Sequence, residues 1–157
     1  MTEAKQKAHY VFVVSTQMGD DGSDIPASHI FDRLVRLSKW FLSQYTPFRD
    51  AYQPGDRVLF YLAGARHRFF AGHATIAGTP VPTAKAEAAV LAELGLFGYD
   101  RSLPLTGLAL FSRRHPMREL VDRLEFIKDK RNYGLNLRQG AIRVSPKDYA
   151  YVVNAHS

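Results

Sequence analysis

Gly55-Asp56-Arg57-Val58-Leu59-Phe60-Tyr61 is the stretch that decides the fold of this 157-residue chain. Gly-Asp after a proline favours a turn, and the apolar and aromatic residues from Val58 onward are typical of a strand. A tip that contains Gly64 follows, and a second run of the same kind covers Phe69 to Ala77. Two such runs joined by a short tip predict an antiparallel hairpin.

The rest of the sequence alternates short strand and helix patterns. Further strands are predicted at Tyr10 to Ser15, Thr106 to Phe111 and Ala141 to Val144. Helices are predicted after an N-cap at Ser28, at Thr83 to Leu94, from Met117 until the helix frays near Lys130, and at Pro146 to Val153 after an N-cap at Ser145. This order predicts one α+β domain over residues 1–157, with a small barrel-like mixed sheet and flanking helices.

Positive charge is concentrated in the last third of the sequence. Residues 113–147 hold ten Lys or Arg against four acids, which equals the whole formal excess of +6. A polyanion is the natural partner of such a stretch. The alternative is the solvated face of a helix, which the i,i+4 pairs Arg118/Asp122 and Glu119/Arg123 would support.

Several classes of protein are disfavoured by what the sequence lacks. It contains no cysteine, so disulfides and thiolate metal sites are excluded. Its six histidines show no metal-ligand spacing, and no nucleotide or nucleophile motif occurs. The polar residues 1–7 and the short apolar run 11–14 predict neither a signal peptide nor a membrane span. We therefore expect a cytoplasmic protein that is not an enzyme and has no cofactor.

Aromatic residues stand beside basic ones at several positions. Trp40, the only tryptophan, follows the first predicted helix in a polar setting, where a pocket role is favoured over a core role. Flat rings stack on bases and cations at the rim hold phosphates. The cations predicted to contact a nucleic-acid backbone are Arg66, Arg68, Lys130, Arg131 and Arg138.

Two parts of the sequence resemble one superfamily. The YTH-like module is similar in order and spacing to Ser38-Lys39-Trp40-Phe41-Leu42-Ser43, Phe48 to Tyr52, Val58 to Tyr61, Gly64 and Phe69 to Ile76. A resemblance to the EVE domain is found in the last third of the chain, at Phe126-Ile127-Lys128, Tyr133-Gly134, Arg138-Gln139-Gly140, Val144 and Asp148-Tyr149. The resemblance implies a PUA-like fold.

The resemblance also implies a pocket that holds one base. Ser15 matches the polar end of the first strand and would contact the base edge, while Trp40 matches the wall that stacks on its face. The second wall of the family is an aromatic residue in a later loop, and Phe97 or Tyr99 is the nearest candidate. The pocket implied in this way consists of Ser15, Thr16, Trp40, Tyr61, Phe97 and Tyr99.

The implied function is a nucleic-acid binding module that reads a flipped base, such as a 5-substituted cytosine in DNA or RNA. A partner protein would then supply any nuclease or other activity. One alternative is an RNA-binding PUA-type domain without preference for a modified base. Another is a small ASCH-like amidohydrolase, for which Thr16, Lys39 and Glu125 are the candidate catalytic residues.

Overall fold

The computed structural model describes residues 7–19, 21–64, 68–137 and 139–156. The strands are β1 (His9–Ser15), β2 (Gln17–Met18), β3 (Asp24–Ile25), β4 (Lys39–Leu42), β5 (Arg57–Ala63), β6 (Arg68–Ile76), β7 (Val81–Pro82), β8 (Arg101–Leu110) and β9 (Ala141–Val144). The helices are α1 (Ala27–Val35), α2 (Lys85–Glu93), α3 (Met117–Leu120), α4 (Tyr133–Asn136) and α5 (Pro146–Ala155), and a 3-10 turn covers Val121–Arg123.

One mixed sheet organises these elements. Its strand order is β4-β8-β6-β5-β1-β9, with β7 added against β8. The pair β1 and β5 is parallel, whereas β5 and β6 form the antiparallel hairpin expected from the sequence. The chain enters β5 through Gly55, whose φ of 91° suits a residue without a side chain. The predicted α+β fold with a curled mixed sheet and flanking helices is confirmed.

Both faces of the sheet are covered, and β5 shows this directly. Its residues Val58, Phe60 and Leu62 belong to a core shared with α1 and α2. Its residues Leu59 and Tyr61 belong to a second core shared with α3 and α5. A central strand with two buried faces explains why the sequence of β5 is almost continuously apolar. Each such side chain stabilises the fold by about 1.5–3 kcal/mol through burial.

Helix α5 is hydrogen-bonded to the segment that follows α3 and the 3-10 turn. Ser145 Oγ accepts a hydrogen bond from the Asp148 N–H at 3.0 Å, so the predicted N-cap is confirmed. The carboxylate of Asp148 is 1% exposed and accepts hydrogen bonds from the N–H groups of Glu125 at 3.0 Å and Phe126 at 2.9 Å. Two backbone donors far away in sequence are therefore satisfied by one buried side chain.

This contact explains why the helix predicted from Met117 to about Lys130 is wrong. The α-helix ends at Leu120 and the 3-10 turn ends at Arg123. The next amides bond to Asp148 instead of to helical carbonyls, and Lys130 Nζ donates to the Leu124 carbonyl. Glu119 Oε2 lies 3.3 Å from Nδ1 of His115, four residues earlier in the chain. The partner of Glu119 is therefore His115 rather than Arg123.

Other boundaries also differ from expectation. The first helix starts at Ala27 with Pro26 in the N-cap position, so Ser28 is inside the helix. Strand β8 starts at Arg101, five residues before the strand predicted from Thr106, because its first residues pair with β4 and β7. Among the described residues, no helix combines the length and the apolar character that a membrane span requires.

Replacing Asp148 by Ala should lower the free energy of unfolding by about 3 kcal/mol, because two buried amides would lose a charged acceptor. Asp148→Asn keeps one acceptor oxygen and should lose less. Urea unfolding measures both. The matched control is Asp122→Ala, since this acid of the 3-10 turn is exposed. An equal loss in the control would contradict the role assigned to Asp148.

Histidines surround Tyr149 and Phe111 on the second core. The His156 ring stacks on Phe111 with centroids 4.1 Å apart, its Nδ1 lies 2.7 Å from the Val152 carbonyl, and its Nε2 accepts from the His115 N–H at 3.3 Å. This pattern requires a neutral ring, because Nε2 is an acceptor. Burial is the main cause that lowers the pKa of His156, and it lowers the pKa values of His9 and His73 in the same way.

The stability of the protein should therefore fall as the pH drops below about 6.5. Above that pH the imidazoles are neutral in both states; below it the unfolded chain binds protons that the folded chain refuses. Each of the three groups removes up to about 1.4 kcal/mol per pH unit until its folded-state pKa is reached. Urea unfolding between pH 7.5 and 5.5 measures this slope. His156→Asn should make it shallower, and an unchanged slope would contradict the assignment.

Candidate functional site

The carboxyl end of β1 opens into a cavity of about 430 Å³. Its walls come from β1, α1, β4, the loop before β8 and the loop between α4 and β9. The described residues that line it include three rings and several polar, uncharged groups: Trp40, Phe41, Tyr99, Ser15, Gln17, Thr46 and Gln139. No ionisable acid or base of the described chain other than Tyr99 lines the cavity, and its size is typical of small-molecule pockets. We call it the base cavity below.

Trp40 belongs to the base cavity and to the core at once. Ser38, with a left-handed φ of 52°, ends the turn after α1 and sends the chain into β4. There the indole stacks on the Phe12 ring, with ring centroids 5.5 Å apart and an interplanar angle of 11°. It also packs against the Phe60 ring, with centroids 5.1 Å apart. It is only 5% exposed. The expectation that Trp40 lies at a helix-to-loop break in a polar setting is therefore wrong.

Ser15 and Tyr99 bring polar groups to the same cavity. Ser15 ends β1 and is exposed, so its hydroxyl stands at the mouth rather than in the core. Tyr99 lies in a loop that is fixed by the Thr83 hydroxyl, which donates to the Tyr99 carbonyl at 2.8 Å. Burial raises the pKa of Tyr99, so its phenol keeps its proton at neutral pH and remains a hydrogen-bond donor.

The other three predicted pocket residues lie elsewhere. Phe97 is 65% exposed and does not line the base cavity. Thr16 is also outside the lining; it faces Gly64, where an added Cβ would come within 2.9 Å of Thr16 Oγ1. Tyr61 is buried and lines a neighbouring depression. The structure therefore brings together Ser15, Trp40 and Tyr99.

The neighbouring depression has a volume of about 450 Å³ and contains two of the predicted cations, Arg68 and Arg131. It shares Ala63, Gly134 and Leu137 with the base cavity, so the two openings are adjacent. No acid is among the described residues that line it. We call it the arginine depression.

Of the other three predicted cations, the structure describes Lys130. Lys130 is used as a donor to the carbonyl of Leu124, which is a structural contact. Arg66 and Arg138 lie outside the described residues. Of the three predicted cations that the structure describes, Arg68 and Arg131 lie beside the cavity.

Two of the catalytic candidates of the amidohydrolase alternative, Lys39 and Glu125, are held in separate ion pairs. Lys39 Nζ lies 2.5 Å from the carboxylate of Glu87, and Glu125 is paired with Lys147 at 3.1 Å. Thr16 directly follows β1, and its hydroxyl faces Gly64. Within the described part of the chain, no group of three or more His, Cys, Asp or Glu side chains is arranged to hold a metal ion.

One wall of the base cavity was not expected from the sequence. This wall is formed by Gly134, Leu137, Gln139 and Gly140, a segment that the sequence indicated only through its resemblance to the EVE domain. The Val13 N–H donates to the Gly140 carbonyl at 3.0 Å and so draws the loop over the end of β1. The signal that was present is the Gly-punctuated sequence itself, which favours a loop close to another backbone.

No family model matches this sequence, and no curated protein matches it. The fold, however, is similar to solved structures over nearly the whole chain. Human THYN1 in complex with DNA containing 5-methylcytosine superposes with a TM-score of 0.63 at 13% identity, covering 96% of this chain and 98% of that chain. The DUF55 domain of human thymocyte nuclear protein 1 gives a TM-score of 0.59 at 14% identity, with 95% and 98% covered.

A third similar structure is that of a YTH domain. The YTH domain of Zygosaccharomyces rouxii MRB1, in complex with N6-methyladenosine RNA, gives a TM-score of 0.58 at 10% identity, covering 95% of this chain and 87% of that chain. Identities this low establish the fold. The chain has the fold of the DUF55 and YTH domains, and the EVE- and YTH-like fold expected from the sequence is confirmed.

Because Trp40 packs on Phe12 and Phe60, Trp40→Ala should lower the free energy of unfolding by about 3–5 kcal/mol. Trp40→Phe keeps an aromatic ring and should cost less. Thermal and urea unfolding of both variants measure the difference. An alanine variant that is as stable as the unchanged protein would show that the indole does not support the core.

Proposed function

We propose that this chain binds nucleic acid and holds a single base in the base cavity. The observation that carries the proposal is the adjacency of an uncharged, aromatic cavity and a depression that contains Arg68 and Arg131 and has no acid in its described lining. A nucleotide has the same division, since its base is flat and neutral and its phosphate is anionic. Aromatic rings bind the first part and arginines the second.

The polar groups of the base cavity suit the edge of a base. Ser15 and the amides of Gln17 and Gln139 can each donate and accept hydrogen bonds, and the Tyr99 phenol adds a donor. A charged ligand would find no opposite charge among the described residues of this lining. A base is therefore a better match than a phosphate or a carboxylate for this cavity.

The similar structures support this proposal and its finer form. One contains DNA with 5-methylcytosine and another contains RNA with N6-methyladenosine, and both share the fold of this chain. We propose that the base is flipped out of its strand and that a 5-substituted cytosine is preferred. Flipping costs a few kcal/mol, and burial of one methyl group recovers about 0.8 kcal/mol.

A plain RNA-binding domain without preference for a modification is the remaining alternative, and it would use the arginine depression without selectivity in the base cavity. A partner protein with its own activity and a cytoplasmic location remain predictions. Affinity alone does not separate the two binding functions, whereas selectivity between a base and its methylated twin does.

An oligonucleotide with one 5-methylcytosine should bind about fourfold more tightly than its unmodified twin, the ratio that corresponds to one buried methyl group. Ser15→Ala should weaken binding of both by removing a contact to the base edge. Fluorescence anisotropy with short single strands and duplexes measures these affinities, and a strand with N6-methyladenine tests the alternative modification.

Thr16→Ala is the matched control, because Thr16 is the next hydroxyl in the chain, is exposed and lies outside the cavity lining. It should leave both affinities unchanged. Equal affinity for modified and plain bases would favour the plain RNA-binding function. Absence of binding to every nucleic acid tested would overturn the proposal as a whole.

A further inference from the structure

A third depression continues the path that starts at the base cavity. Its volume is about 420 Å³, and it shares Arg68 and Tyr133 with the arginine depression. It adds Arg114 and Arg118, two cations at the start of the basic last third that the sequence analysis did not assign to a site. No acid is among the described residues that line it. The three openings thus lie side by side in a row, which we call the path, and arginines line the outer two.

Contacts hold the far end of this path in place. The guanidinium of Arg114 lies 5.0 Å from the centre of the Phe69 ring, so this cation is stacked rather than free in solvent. Phe69 also forms a β-bridge with Pro116, which joins the start of β6 to the residue before α3. An arginine that is already positioned loses less entropy when it binds a phosphate.

Two cations that neighbour residues of the base cavity are already paired with carboxylates. Arg49 makes a bidentate pair with Asp100 at 2.9 and 2.8 Å, and Asp100 follows the cavity residue Tyr99 in the chain. Lys39, which precedes Trp40 in the chain, pairs with Glu87. Each pair is close to neutral, so these two cations attract a phosphate less than a cation without a carboxylate partner does.

We propose that the strand carrying the held base leaves the base cavity in one direction only, through the arginine depression, and that Arg114 and Arg118 bind phosphates at the far end of this path. This inference rests on the proposed function, and it adds a polarity to binding. The base cavity accepts the target base, and the path accepts the sugar-phosphate backbone on one side of it, either 5′ or 3′.

The test uses three probes with the same base. The first is 5-methyldeoxycytidine monophosphate, the second carries four abasic sugar-phosphates on its 5′ side, and the third carries them on its 3′ side. Abasic units supply phosphates without bases that compete for the cavity. We expect one extension to increase affinity several-fold over the mononucleotide and the other to change it little. NMR titration and anisotropy measure these affinities.

The double variant Arg114→Gln/Arg118→Gln should abolish the gain from the favoured extension and leave mononucleotide binding unchanged. It should also reduce the salt dependence, the slope of log affinity against log salt, by about 1.4, or 0.7 for each phosphate contact with a single strand. The matched control is Arg123→Gln/Arg143→Gln. Arg123 also stacks on a ring, that of Tyr151 at 6.0 Å, but neither control residue lines the path.

Two failures are distinguishable. If the mononucleotide binds but both extensions change affinity equally, or if the control variant weakens binding as much as the double variant, the directional path is overturned while the base cavity stands. If the mononucleotide does not bind and no probe responds to Ser15→Ala, the proposed base cavity is overturned and the path with it.

Discussion

The parallel pairing of β1 with β5 is the constraint on which the rest of the site depends. Parallel strands end at the same edge of a sheet, and here Ser15 is paired with Ala63. Ser15 lines the base cavity, and Ala63 lines both the base cavity and the arginine depression. An antiparallel arrangement would place these two ends on opposite edges. The adjacency of an uncharged cavity and a cationic path therefore follows from strand direction.

Trp40 links the stability of the fold to the shape of the cavity. Its stacking on Phe12 holds the cavity wall against the central strand, so the wall does not need to order when a ligand binds. Pre-organisation of this kind increases affinity because the entropy cost is paid during folding. Because the indole is buried, we expect substitutions at position 40 to change stability together with the shape of the cavity. Ser15, which is exposed, lacks this coupling.

Sequence patterns predicted the parts of the fold that depend on neighbours in the chain. The β5–β6 hairpin and the N-cap at Ser145 are local features, and both are present. The end of α3 and the strand that carries Trp40 depend on distant partners, namely the Asp148 carboxylate and β8. For the same reason the sequence indicated Ser15, Trp40 and Tyr99 through a family resemblance but not the loop that closes the cavity over them.

Net charge indicated the last third of the chain but not which of its cations lie at the surface depressions. Within that third, Lys147 is paired with Glu125, Lys130 binds a carbonyl, and Arg123 stacks on Tyr151. Arg114 and Arg118 line a depression with no acid in its described lining, whereas Arg131 donates its N–H to the Asp129 carboxylate at 3.1 Å. A phosphate responds to the local field, in which a neighbouring carboxylate cancels a cation within a few ångströms. The absence of carboxylates from the described lining of the path is thus more informative than the excess of +6 over the whole sequence.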